Sequence, residues 1–194
     1  MYTRQKPIFM TPVHYAIFDT AAGPCGLAWT QKGVSRFQLP GQGQDETERL
    51  LLRRLVRAER AIPTSEIEII INAVQGYFKG EPTDFSSVPI DLESQGEFFK
   101  DIYAALRRIG WGQTTTYGEL AREIGAGPEA ARAVGVAMAR NPVALIIPCH
   151  RCLSAGGKLG GFSAPGGSDT KLKMLELEGI YLAPPPPEQQ AFDF

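Results

Sequence analysis

Three consecutive side chains, Cys149, His150 and Arg151, set a thiol, an imidazole and a guanidinium side by side after the apolar run Val143-Ala144-Leu145-Ile146-Ile147. A thiol is strongly nucleophilic only as its thiolate, and an imidazole that removes the proton is a common way to make one. The punctuation is stiff, since Asn141-Pro142 forces a turn while Pro148 fixes its own φ and holds Ile147 extended. A lone cysteine at the end of an apolar run is more often an inert core residue, so the reading rests on its neighbours. If 141–151 is a short buried strand, successive side chains face opposite ways and His150 does not touch Cys149 directly. A proton relay then needs a bridge, such as water, and a partner to orient the ring. Glu178, near the end of a predicted C-terminal helix, is the strongest candidate, and the relay would leave Cys149 as a thiolate.

The elements that must hold these residues can be read outward from them. A chain of 194 residues, 43% hydrophobic, can bury a real core and hold two small domains. No run approaches the roughly eighteen apolar residues of a membrane span, and no signal-type segment follows the first residues, so a soluble, intracellular, cytoplasmic protein without a membrane partner is expected. Three cysteines make no disulfide framework and fit a reducing compartment; with only two histidines, no metal is expected. The segments His14–Phe18, Cys25–Thr30 and Val34–Leu39 alternate as an antiparallel meander, with His14 and Cys25 as plain strand residues. A helix is predicted over Asp45–Ala61 from Asp45 and Glu48 as a capping-box-like start, and a second from Ser65 through Phe78 to Gly80. Pro82–Leu92 reads as an extended connector and a domain boundary.

Beyond it, Ser94 and Glu97 open a helix whose Phe98, Ile102, Leu106 and Ile109 form a core stripe. Thr116 and Glu119 make a capping box for Tyr117–Ile124, Gly125-Ala126-Gly127 a turn, and Pro128 the first position of a helix running through Ala139. Two short helices across a glycine turn spell helix-turn-helix. The second is rich in small residues, and Arg132 among its alanines, without an i+4 partner, looks aimed outward. Between Arg122 and Lys158 five positive residues stand against two negative in a chain of net charge −1, a compact basic patch that suits a few phosphate contacts or a solvated helix face. The glycine-rich stretch 154–167 has neither the Lys-Ser/Thr ending of a P-loop nor a dinucleotide-binding context. A helix over Asp169–Glu178, stopped by Gly179, precedes the Pro184–Pro187 run and a disordered tail.

Asn141-Pro142-Val143-Ala144-Leu145-Ile146-Ile147-Pro148-Cys149-His150-Arg151 resembles the active-site signature of the O6-alkylguanine-DNA alkyltransferases, also called methylated-DNA-protein-cysteine methyltransferases. The resemblance runs from about Tyr77 to Glu178 and is loose over the first seventy residues. It implies an α+β fold: a small N-terminal antiparallel sheet with helices, ribonuclease H-like, in 1–92, a mainly helical domain with a helix-turn-helix in 93–182, and a tail in 183–194. It implies a monomer that binds DNA containing O6-alkylguanine, flips the base, and transfers the alkyl group from guanine O6, or from O4 of thymine, to Cys149 in one turnover with no cofactor.

By the same resemblance Cys149, His150, Glu178, Tyr117 and Asn141 are catalytic, with Tyr117 protonating the departing guanine. Ala131, Arg132, Gly135, Met138, Arg151, Phe162 and Ser163 meet DNA or substrate, Arg132 taking the place of the extruded base in the minor groove and Ser163 lying near O6. Phe162 stands where many members carry tyrosine, Phe98-Phe99 and Tyr103 where they carry Phe-Gln and Trp, and Cys152 where most carry an apolar residue.

Two other readings compete. Cys149-His150-Arg151-Cys152 is a C-x-x-C redox motif at face value, although glycines soon follow it and such motifs open a helix that lowers the thiol pKa. A module that binds alkylated bases without repairing them would not need Cys149. A disulfide between Cys149 and Cys152 that silences the protein is a further expectation, as is docking of Gln189–Phe194, with aromatics at Phe192 and Phe194, on a sliding clamp.

Overall fold

The computed structural model describes residues 12–182 apart from residue 56. The tail at 183–194, with the clamp-binding expectation placed on it, lies outside the described residues.

The meander forms as expected: β1 (Val13–Thr20), β2 (Gly23–Thr30) and β3 (Gly33–Gln38) pair antiparallel. Alternation divides their side chains between two faces. Tyr15 and Ala28 meet Leu51 of helix α1 (Gln44–Leu52) on one face, while Ala16, Cys25, Leu27 and Trp29 join the main core on the other. Cys25 is a buried core residue whose thiol burial pushes up to about 12, so it is chemically quiet.

The helix expected over Asp45–Ala61 stops at Leu52, and Ala58–Arg60 instead forms β4, parallel to β1 at the sheet edge in the order β3-β2-β1-β4. Helical propensity loses here to pairing with an open strand edge. The Asp45–Glu48 cap is also absent: Gly43 occupies the cap position, and Glu48 accepts a hydrogen bond from Tyr15 Oη at 2.7 Å.

Helix α2 (Ser65–Phe78) turns Ile67, Ile70, Val74 and Tyr77 inward. The connector then runs beside β3, with Val34 N donating to Pro89 O at 2.9 Å and Asp91 N to Val34 O at 2.8 Å. It passes so close that a Cβ on Gly33 would strike the Pro89 carbonyl, and Gly33 holds a φ of 134° that other residues avoid.

Helix α3 (Glu97–Leu106) starts later than Ser94 suggested, capped by Gly96, and buries Ile102, Tyr103 and Leu106. A strand pair, β5 (Thr115–Thr116) with β6 (Cys152–Leu153), joins the start of helix α4 (Tyr117–Glu123) to the segment after Cys149. The Thr116–Glu119 capping box is present. A 3-10 turn at Pro128–Ala130 leads into α5 (Ala131–Arg140), shorter at its start than the helix placed at Pro128. Val134, Ala137 and Met138 of α5 are buried, while Arg132 and Val136 are exposed. The last helix, α6 (Gly167–Leu177), ends against Gly179 with Glu178 at its C-cap.

One hydrophobic cluster runs from Ala16 through Tyr77, Ile102 and Val134 to Met174, so sheet and helices share a core. The described residues thus form a mixed α+β structure with a small sheet and six helices. None of those helices is long and apolar enough to cross a membrane.

Candidate active site

The segment before Cys149 is not the strand its apolar run suggests. Leu145 has a φ of 74°, and Ile147 N donates to Val143 O at 2.9 Å, so the chain folds back on itself. Asn141 staples this turn at both ends, Oδ1 accepting from Val143 N at 2.9 Å and Nδ2 donating to Ile147 O at 2.8 Å. Phe37 N donates to Pro142 O at 3.0 Å and ties the turn to β3. Strand-like composition could not reveal this, because the stabilising contacts come from one side chain and a distant strand. Cys149–Arg151 is then a single 3-10 turn rather than extended chain.

His150 is fully buried, and its Nε2 lies 2.6 Å from Glu178 Oε1. A carboxylate only accepts, so Nε2 carries the proton and Nδ1 offers a lone pair. That Nδ1 is buried and has no hydrogen-bond partner among the described residues. Burial holds the His150 pKa below its ordinary value against the opposing pull of Glu178, which keeps the ring neutral and able to accept a proton.

Glu178 is the hub. Arg151 forks onto it, Nε to Oε2 at 2.8 Å and Nη2 to Oε1 at 3.0 Å, and Tyr77 Oη donates to Oε1 at 2.9 Å. Burial alone would raise the carboxyl pKa, yet the hydrogen bonds and charges of His150 and Arg151 together outweigh it and bring the group down to about 2. Arg151, expected to meet DNA or substrate, is instead buried, and its Nη1 donates to Ile109 O at 2.6 Å. A guanidinium removed from water needs a carboxylate more than a phosphate out of reach, so its task is to fix Glu178.

Cys149 is also buried, and burial pushes its thiol pKa up, offset in part by the Asn141 amide, the Lys171 charge and backbone N–H groups. The expected standing thiolate is therefore not what the resting site favours; the proton stays on sulfur until a base takes it. The C-x-x-C reading fares worse. Cys149 opens only a three-residue 3-10 turn, and burial pushes Cys152 up to about 12, the reverse of an activated redox pair. Both thiols are free.

Cys149 opens onto a cavity of about 290 Å³ that also meets Tyr117, Gly135, Met138, Phe162 and Ser163. Five residues from α4, α5 and the glycine-rich stretch thus line one cavity with the thiol. Burial holds the Tyr117 hydroxyl above its ordinary pKa, with the two nearby thiols adding to this, so it keeps its proton. Arg132 and Ala131 lie on α5 but do not line this cavity.

Two residues were missed. Lys171 is fully buried on α6 and donates from Nζ to Cys152 O at 2.6 Å. Its spacing with Met174 and Glu178 puts it on the inward stripe of that helix, a signal the sequence did carry. Tyr77 belongs to the apolar stripe of α2 and gave no sign that its hydroxyl reaches the catalytic turn. We expect Tyr77→Phe to lower stability by about 2 kcal/mol, the usual worth of a buried hydrogen bond to a charged group. Urea unfolding of both proteins measures it; a change below about 0.5 kcal/mol, within the noise of such comparisons, would contradict the contact.

With this geometry in hand, the chain can be set beside known proteins. Residues 97–180 match the family model for the 6-O-methylguanine DNA methyltransferase DNA-binding domain. The methylated-DNA-protein-cysteine methyltransferase of Methanosarcina acetivorans is 37% identical over 174 residues, covering 86% of this chain and 99% of that protein. The protein of the same name from Mycobacterium leprae is 47% identical over 167 residues, covering 86% and 92%. A crystal structure of Mycobacterium tuberculosis OGT in complex with DNA superposes with a TM-score of 0.71 at 34% identity, covering 85% of this chain and 92% of that one. Similarity of this extent, on a chain whose buried Cys149 stands beside a His150–Glu178 pair, means that the protein belongs to the methylated-DNA-protein-cysteine methyltransferase family.

Proposed function

We propose that the protein repairs DNA by moving an alkyl group from O6 of guanine to Cys149, once per molecule. The observation that carries this reading is the thiol lining the Tyr117–Ser163 cavity, next in the chain to a neutral imidazole that Glu178 orients. His150 Nδ1 takes the thiol proton, directly or through one water, as sulfur attacks the alkyl carbon in line with the C–O6 bond. The S–C bond forms and the C–O6 bond breaks. Tyr117 donates its hydroxyl proton toward the departing guanine, and the proton taken by His150 restores the balance, so that thiol and alkylated base become thioether and guanine. A thioether is a poor leaving group, which makes the reaction stoichiometric. O4 of thymine offers the same chemistry in a smaller ring.

The base reaches this cavity only if it leaves the helix, at a cost of a few kcal/mol. In our reading α4 and α5 act as a helix-turn-helix in the minor groove. Exposed Arg132 then fills the vacated stack, and Ala131 and Gly135 let the backbone approach. The division at the 82–92 connector, the ribonuclease H-like character of the sheet region and the monomeric state belong to the same proposal.

Arg132→Ala is expected to slow transfer from duplex DNA by about tenfold or more while changing transfer from a free alkylated base less than twofold, because only the duplex bears the flipping cost. Single-turnover rates on both substrates provide the test, and equal losses would refute the role of Arg132.

A further inference from the structure

The cavity does not end at the thiol. A groove of about 400 Å³ continues from Cys149 past Asn141 and Ala144 to Arg36 on β3 and to Arg53 and Arg54, just after α1. It shares Met138, Phe162 and Ser163 with the base-side cavity, so Cys149 sits at the junction of the two.

The far end of this groove is electrostatically unfinished. Arg36 is partly buried, and its Nε is buried without a hydrogen-bond partner among the described residues. None of the ion pairs formed among the described residues includes Arg36, Arg53 or Arg54. The acid on the groove wall, Glu46, is engaged by Arg49 at 3.1 Å and accepts from Gln42 N at 2.7 Å. Burial, chiefly, holds Arg36 below its ordinary pKa, and the like charge of Arg54 adds to it. Buried donors left unpaired and guanidinium groups left to repel one another are costly, and an anion would relieve both.

The reaction geometry says where such an anion would be attached. In an in-line displacement, sulfur and O6 lie on opposite sides of the transferred carbon. Anything else bonded to that carbon projects sideways from the S–C–O line and must be housed beside the thiol, where this groove begins. We propose that the groove is a subsite for the transferred group and that Arg36, Arg53 and Arg54 make it select O6 substituents longer than methyl that end in an anion, such as a carboxylate. This deepens the alkyl-transfer reading above and rests on it; bond making and proton movement are unchanged.

The test uses the full chain and three free-base probes, O6-benzylguanine carrying a para carboxymethyl, carboxamidomethyl or aminomethyl group. Alkylation of Cys149 is followed by intact mass. The carboxylate is expected to react about three- to tenfold faster than the amide, and the amide faster than the ammonium, with the preference shrinking as salt rises. The carboxylate-to-amide ratio should fall to about one in Arg36→Gln and in the doubly substituted Arg53→Gln, Arg54→Gln protein. The latter changes only exposed side chains and covers the case in which Arg36→Gln fails to fold.

Equal rates for carboxylate and amide in the unaltered protein would overturn the proposal, as would a preference that survives in a folded variant. So would a loss of affinity for methylated duplex DNA in the variants with the free-base preference intact, since the arginines would then serve a DNA phosphate. If neither the amide probe nor O6-methylguanine DNA alkylates Cys149, the alkyl-transfer reading itself fails and the subsite falls with it.

Discussion

Cys149→Ala protein is expected to accept no alkyl group at all, while binding methylated duplex DNA within about twofold of the unaltered protein. Truncation at Cβ removes the atom that forms the new bond, and no other thiol is placed to replace it. Cys25 lies in the core of the sheet with its pKa pushed up to about 12. Cys152, in β6, is fully buried and likewise pushed up to about 12. The exposed residues of α5 that we propose meet DNA do not depend on the thiol, and the lost side chain is small, so folding should be little affected. Transfer is read from the labelled alkyl group retained on protein, and binding from a gel or anisotropy titration. Residual transfer in this variant would remove Cys149 from its role.

How far the sequence foretold this site depended on how local each signal was. The Thr116–Glu119 capping box, the stop at Gly179 and the alternation of β1 to β3 are decided by neighbours a few positions away, and each is present. The Glu178–His150 pairing spans 28 positions but followed from chemistry, since a buried imidazole needs a fixed tautomer. Segment 141–148 was misread as a strand because its composition is that of one, whereas its shape comes from Asn141 and from contact with β3. Arg151 was misassigned for a related reason. Sequence shows a charge but not its depth, and a guanidinium beside a DNA-reading region invites a phosphate until a buried carboxylate is found to hold it. Tyr77 and the β4 edge strand arose from pairings across 101 and about 45 positions respectively, which no local pattern encodes.

The second large effect is expected at Glu178. Glu178→Gln keeps the shape but places an uncharged amide against Arg151, whose guanidinium then lies buried without a counter-charge. The amide also adds donors where Tyr77, His150 and Arg151 all donate already. We expect transfer to slow about a hundredfold or more as the His150 tautomer loses its anchor. Stability at neutral pH should fall by on the order of 3 kcal/mol.

The sign of the pH dependence follows from the folded carboxyl lying at about 2 against an ordinary value of 4.5. A group depressed in the folded state binds more protons when unfolded, so its contribution is full above about 4.5 and is lost as pH falls toward about 2. The unaltered protein should therefore lose stability across that window, and the Gln protein should lose less. Equilibrium unfolding from pH 6 downward compares the two. Parallel curves would contradict the depressed carboxylate, and an undiminished transfer rate would remove Glu178 from the relay.

The central claim, a single transfer to one buried thiol, is tested most directly by incubating the intact protein with excess duplex DNA containing O6-methylguanine, then measuring protein mass and mapping the modified peptide. The account predicts a gain of one methyl group per protein molecule, on Cys149, with guanine restored in an equal number of DNA molecules and no further turnover. An unchanged mass, a methyl group on Cys25 or Cys152, or repair of more lesions than there are protein molecules would contradict it.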